Sequence, residues 1–319
     1  MSRETALNSG EPDCQKGKTG SLFQRCVRWS LLAGAGVLLS GCSLIRSPVL
    51  DPQGPVALDE RNLLLVSLAI MMIVAIPAIG LTLFFAWRYR SGANRPDYDP
   101  EWSRAPALEA AIFLVPAAII VVLGTLVWVY THRLDPYKEL AAGREPFQVQ
   151  AVALDWKWLF LYPELGTASV NELSFPADRP VSIEITSDTV MNALMIPALG
   201  GQIYAMAGMR TKLNLLANEP GTFDGRNTMY SGDGFPDQHF QAHALTDSEF
   251  EAWKAKVKAS ANALDARAYV ALHEKSSANP VSYYSSFEPG LFDLILRKYA
   301  PITGPYESKA AEIICRGAA

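Results

Sequence analysis

The chain has 319 residues, half of them hydrophobic, and a formal net charge of −4. Its mean hydropathy of +0.10 is high for a purely soluble protein and low for one lying wholly within a membrane, so a mixed architecture fits. The acidic balance offers no basic face to nucleic acid. The four scattered cysteines, Cys14, Cys26, Cys42 and Cys315, supply neither a CxxC metal site nor a disulfide framework.

Lys16, Lys18, Arg25 and Arg28 precede an apolar run over residues 31–39, which ends in Leu39-Ser40-Gly41-Cys42. A basic region, a short apolar core and small residues make a secretory signal. The ending has the form of a bacterial lipoprotein signal, in which Cys42 is diacylated and becomes the new N-terminus. Residues 1–41 are therefore predicted to be removed and residues 42–62 to lie in the periplasm. Acyl chains contribute about 0.8 kcal/mol per buried CH₂, but the two spans that follow already hold the chain. The lipid fixes where the N-terminal segment sits.

Residues 63–87 and 110–130 contain no charged side chain, and at 1.5 Å per residue each reaches the roughly 30 Å of the hydrocarbon core. Two transmembrane helices are predicted, over 63–87 and 108–130. Pro77 and Pro116 lie inside them, tolerable where neighbouring helices satisfy the freed carbonyls. Trp87, Trp128 and Tyr130 stand at their ends as interfacial anchors. Arg88, Arg90, Arg95 and Arg104 place the 88–107 connection in the cytoplasm, which leaves both flanks outside, in agreement with a lipid added at Cys42. Glu109 opens the second span. It is either a carboxylate favoured by the helix dipole or a proton entry point, since ionisable groups within membranes tend to mark ion routes.

From Phe147 the period changes. Residues 147–154 alternate in part and residues 181–186 alternate cleanly, as half-buried strands do. Prolines and glycines punctuate the stretch at short intervals, so a sandwich or barrel is expected. In Asp155-Trp156-Lys157-Trp158, the residues Trp156, Trp158 and Phe160 fall on one face at period two and are expected to pack. His239 and His243 share a strand face with Gln241, opposite Phe240, Ala242 and Ala244, which reads as a solvated face. Met191, Met195, Met206 and Met209 read as packing residues, and no metal is assigned. No phosphate loop, Ser-His-Asp set or zinc motif occurs. His132 and His273 read as an interface residue and a helix-end residue. Thr246-Asp247-Ser248-Glu249 is a capping box opening a helix with Phe250, Trp253 and Val257 on one side. A second short helix is predicted over 264–273, and the chain beyond Tyr299 is expected to be poorly ordered.

The apolar hairpin with Glu109, the aromatic strand from Asp155 to Pro163, the stretch from Tyr230 to Leu245 and the segment 276–287 occur in an order that resembles subunit II of the haem-copper respiratory oxidases, in the quinol-oxidising, cytochrome bo-type branch. The resemblance covers roughly residues 40–300. It implies a cupredoxin-type Greek-key sandwich over 131–245, a C-terminal helical arm over 246–300 lying on neighbouring subunits, and a tail at 301–319. In relatives that accept electrons from cytochrome c, two cysteines, a histidine and a methionine in the 230–245 stretch hold a pair of copper ions. Their first histidine, before a proline-containing turn, corresponds to Asn192 here, and the cysteines have no counterpart. Soft sulfur ligands suit copper that cycles through Cu(I), so no cofactor is expected on this chain. The resemblance places the haems and catalytic copper in subunit I, with subunits III and IV as further partners, and Glu109 at the mouth of a proton pathway. It implies ubiquinol as the complex's electron donor and the bacterial inner membrane as its location. A menaquinol oxidase subunit would lack the copper ligands as well. An envelope lipoprotein with a ligand-binding β-sandwich is a reading from another class.

Overall fold

The computed structural model describes residues 47–90, 105–140 and 143–299. The expected signal, Cys42, most of the arginine-rich connection and the tail at 301–319 lie outside the described residues.

Two helices, α1 (Pro55–Arg88) and α2 (Pro106–Arg133), are each long and apolar enough to cross a membrane. Both start on a proline, whose missing N–H costs nothing at the first helical position. Both are longer than the apolar runs from which they were predicted, α1 beginning at Pro55 rather than 63 and α2 covering 106–133 rather than 108–130. The extra turns of α1 are fixed from outside the apolar region. Gln53 N–H donates to the Ala198 carbonyl at 2.8 Å, and the Gln53 carbonyl accepts from Asn218 N–H at 3.0 Å. A Cβ on Gly54 would stand 2.3 Å from the Leu216 carbonyl oxygen, so only glycine lets the chain enter the helix this close to the sandwich. Within the spans, Thr82 and Thr125 donate to the carbonyls four residues back, at 2.7 and 2.8 Å. Their hydroxyls therefore need no partner from the surroundings.

The rest of the chain forms two packed sheets. The strands are β1 (Phe147–Leu154), β2 (Lys157–Tyr162), β3 (Thr167–Val170), β4 (Glu172–Pro176), β5 (Val181–Ser187), β6 (Asn192–Met195), β7 (Gln202–Ala205), β8 (Thr211–Leu215), β9 (Gly221–Asn227), β10 (His239–Leu245) and β11 (Ser282–Tyr284). Their order is β11-β3-β2-β1-β5-β8 in one sheet and β4-β10-β9-β6-β7 in the other. β1 pairs with β5, and β10 with β4, in parallel. The chain must cross between sheets to make those pairs, which gives the Greek-key sandwich that the resemblance implied. Trp158, Phe160, Phe175, Ile183, Leu194, Phe223 and Phe240 fill the space between the sheets.

β2 is buried along its whole length because its outer face is covered too. Leu159 and Leu161 point away from the inter-sheet core and pack with Leu291, Phe292 and Ile295. The arm runs through α3 (Asp247–Lys258), α4 (Ala266–His273), β11 and α5 (Leu291–Lys298); α3 sends Phe250, Trp253 and Val257 into the inter-sheet core, and the segments after it cover the outer face. The predicted capping box forms, with Thr246 N–H on Glu249 Oε2 at 3.0 Å and Glu249 N–H on Thr246 Oγ1 at 3.3 Å. The arm is not wholly helical as predicted, since β11 adds an edge strand to the six-stranded sheet beside β3. Fully burying a large apolar side chain contributes about 1.5–3 kcal/mol, so each side chain buried in the outer layer adds as much as one buried between the sheets.

Candidate functional site

The geometry around the 228–238 loop begins with Trp156. Leu154 pairs with Lys157 across the β1–β2 hairpin, so Asp155 and Trp156 form a two-residue loop, with Trp156 at φ +61°. Trp156 therefore leaves the face it was predicted to share with Trp158 and Phe160: the turn breaks the alternation one residue before β2 begins. Its indole Nε1 donates to the Ser231 carbonyl at 3.0 Å. Gly232, at φ +103°, and Gly234 carry the loop across the ring, and a Cβ on Gly234 would fall 2.3 Å from it.

Beneath this loop lies a cluster of amides and hydroxyls. Asn192, Asn227 and Gln238 are all buried. Asn227 Nδ2 lies 2.7 Å from Asn192 Oδ1 and 2.8 Å from Gln238 Oε1, while its Oδ1 accepts from the backbone N–H groups of Ala193 and Met229 at 2.8 and 3.0 Å. Ser231 Oγ donates to Gln238 Oε1 at 2.9 Å, and Gln238 Nε2 reaches the Leu154 carbonyl at 3.4 Å. Asn192 Nδ2 donates to the Val190 carbonyl at 2.8 Å. The cluster thus ties β1, β6, β9 and Gln238, the residue leading into β10, together at one end of the sandwich. Buried amides are costly unless paired, and here each one is matched by another member of the cluster or by backbone.

Asn192 and the 228–238 loop, where the resemblance looks for copper ligands, are brought together through Asn227. The donor set does not fit copper. It consists of neutral amide and hydroxyl oxygens already engaged in hydrogen bonds, with no thiolate, whereas copper of that kind needs soft sulfur and imidazole. Among the described residues, no group of three or more His, Cys, Asp or Glu side chains could hold a metal ion. β10 alternates as predicted, with Phe240, Ala242 and Ala244 inward and His239 exposed. His243 Nδ1 lies 2.9 Å from Thr222 Oγ1.

The sequence reading missed three polar anchors of the arm. Asp188, its side chain 1% exposed, accepts from Lys298 Nζ at 2.7 Å and Tyr269 OH at 2.6 Å, with His273 Nε2 at 3.3 Å. Its backbone carbonyl accepts from Tyr299 OH at 2.8 Å. Burial, then the Asp188 charge, raises the Tyr269 phenol well above its usual value. For Lys298, burial lowers the pKa, but the hydrogen bond and charge of Asp188 outweigh it and the net shift is upward. Glu172 anchors the other end, accepting from Trp253 Nε1 and Tyr283 OH, both at 2.8 Å. Lys157, buried in the aromatic strand, donates to the Leu272 and Glu274 carbonyls at 2.8 and 2.7 Å and to Ser276 Oγ at 2.6 Å. It caps the C-terminal end of α4, where a cation is favoured, and burial lowers its pKa against the opposing charges of Asp155 and Glu274. One signal was available: β2 reads Trp-Leu-Phe-Leu-Tyr without polar alternation, which calls for cover on both faces.

Glu109 sits in the first turn of α2, its N–H bonded to the Ala105 carbonyl at 2.9 Å, and Cys42 lies outside the described residues. His132 Nδ1 lies 2.8 Å from the Trp128 carbonyl, and His273 ends α4.

The COX Aromatic Rich Motif family matches residues 258–301, which include most of the arm. The cytochrome bo(3) ubiquinol oxidase subunit 2 of Pseudomonas aeruginosa is 48% identical over 273 residues, covering 86% of this chain and 81% of its own. The ubiquinol oxidase subunit 2 of Acetobacter aceti is 46% identical, covering 87% and 90%. Among solved structures, the periplasmic domain of subunit II of cytochrome oxidase (CoxB) of Bradyrhizobium japonicum aligns with 35% of this chain and 94% of its own length, at 22% identity and a TM-score of 0.34. With relatives this similar over more than four-fifths of their length, the chain belongs to the ubiquinol oxidase subunit 2 family.

Proposed function

We propose that this chain is subunit II of a bacterial inner-membrane oxidase that takes electrons from ubiquinol, reduces oxygen to water and moves protons outward. Its electrons do not pass through a metal on this chain. The observation that carries the reading is the amide cluster of Asn192, Asn227 and Gln238, closed by hydrogen bonds where cytochrome c-accepting relatives hold copper. Haems and catalytic copper then belong to subunit I, which α1 and α2 would flank, with subunits III and IV completing the complex. This chain contributes the two spans, the periplasmic cap and Glu109, whose place at the N-terminal turn of α2 suits a proton-entry carboxylate on the cytoplasmic side. Cys42, acylated, would tether the segment preceding α1 to the outer leaflet. The names of the relatives favour ubiquinol over menaquinol.

Oxygen uptake by the detergent-purified complex tests this, driven in turn by ubiquinol and by reduced cytochrome c. Uptake with ubiquinol alone supports the proposal. Uptake with cytochrome c would require an electron-entry site on this chain and overturn it.

A further inference from the structure

The extramembrane ends of α1 and α2 meet the sandwich around a cavity of about 300 Å³. Its lining includes Asp59 and Glu60 from α1, Arg133 and Lys138 at and beyond the end of α2, Gly201 before β7, and Leu213 of β8. Charge within it is unequally matched. Arg133 grips Asp59 through two bonds, Nε to Oδ2 at 2.8 Å and Nη2 to Oδ1 at 3.0 Å, and Lys212 pairs with Glu139. Glu60 comes up against the Gly201 backbone, but among the described residues no cation forms an ion pair with it. Its approach depends on that glycine, where a Cβ would stand 2.7 Å from Glu60 Oε1.

Depth decides what could fill the cavity. Glu60 precedes the uncharged run that starts at residue 63 by less than one turn, which is the level of the headgroups of the outer leaflet when α1 and α2 span the bilayer. A ligand arriving there needs a cationic donor for Glu60, an anionic group beside Arg133 and Lys138, and apolar chains that continue down the helices. We propose that the cavity seats the headgroup of a phospholipid bearing a primary ammonium, a phosphatidylethanolamine, with its ammonium on Glu60 and its phosphate toward Arg133 and Lys138. A quaternary choline headgroup has no N–H to donate to the carboxylate, and a glycerol headgroup has no cation, so the site discriminates among lipids of similar size. The proposal rests on reading α1 and α2 as spans.

The test uses the whole complex, purified, depleted of lipid and then exposed to phosphatidylethanolamine, phosphatidylcholine or phosphatidylglycerol, with retained lipid counted by native mass spectrometry. Phosphatidylethanolamine should be retained selectively by the native protein. Glu60→Gln, which keeps the shape and removes the charge, should lower its retention by about tenfold, the scale of one charge-assisted hydrogen bond. Gly201→Ala, which displaces the carboxylate without removing it, should act in the same direction. Equal retention of all three lipids, or unchanged retention in the assembled Glu60→Gln complex, would overturn the proposal. The haem spectrum and quinol turnover of the same samples report on the oxidase reading separately: a complex without haem sinks that reading whatever lipid it holds.

Discussion

Asp188→Ala should detach the arm from the sandwich. The substitution takes the acceptor from Lys298, Tyr269 and His273 at once. Removing one partner of a buried ion pair costs about 3–5 kcal/mol. Lys298 is 32% exposed and regains water when its partner is lost, which brings its share to about 2 kcal/mol or less. The Tyr269 hydroxyl, left without an acceptor, adds about 1–3 kcal/mol. A total near 4 kcal/mol corresponds, at about 1.4 kcal/mol per tenfold change, to a roughly thousandfold loss of protection. Hydrogen exchange in the purified complex would read it at the amides of α4 and α5, with β1 as an internal reference that should barely change. Asp188→Asn keeps an acceptor for Tyr269 and should fall between the two. Unchanged protection of α4 and α5 in Asp188→Ala would refute the argument, because it would mean that Lys157 and the apolar contacts of Leu291, Phe292 and Ile295 hold the arm without Asp188.

Asn227→Ala should destabilise the loop end of the sandwich by about 3 kcal/mol, since it strips partners from buried Asn192, Gln238 and two backbone N–H groups; thermal unfolding measures the loss, and the Trp156 fluorescence should shift as the loop lifts. The arm should also loosen at alkaline pH. Lys298 titrates above its ordinary 10.5 in the folded chain, so its contribution is complete below that pH and disappears as pH rises through the folded value; the thermal midpoint of the arm, followed against pH, should fall there more in the native chain than in Lys298→Met, and parallel profiles would count against it. Glu109→Ala should slow quinol-driven oxygen uptake while subunit composition on native gels stays the same, and unchanged turnover would remove Glu109 from the proton path.

What could be read from the sequence was local. The spans follow from uncharged runs, the start of α3 from Thr246 and Glu249, and the faces of β10 from strict alternation at His239, Gln241 and His243. Trp156 was misplaced because a two-residue hairpin loop interrupts period two, and Trp156 stands at φ +61° where such a turn normally takes glycine or asparagine. Lys157 gave no sign of its role in the sequence, because its three acceptors lie 115 to 119 positions away. Asp188 reaches Tyr269 and Lys298 across 81 and 110 positions. Period and propensity describe neighbours, and these contacts are made by topology. The amide cluster was half legible: Asn192 was located from the resemblance, while Asn227 and Gln238 gave no signal of their own.

The double burial of β2 also bears on how the protein is made. Its outer face, with Leu159 and Leu161, is closed by α5, the last helix among the described residues. Export delivers the chain from its N-terminal side, so the sandwich strands reach the periplasm while the segment that covers them is still in the cytoplasm. During that interval the sheet presents an aliphatic wall to water, and a chain cut short before α5 would present it permanently. The last helix to emerge therefore completes the burial of one of the first strands, which ties the solubility of the sandwich to the delivery of α5.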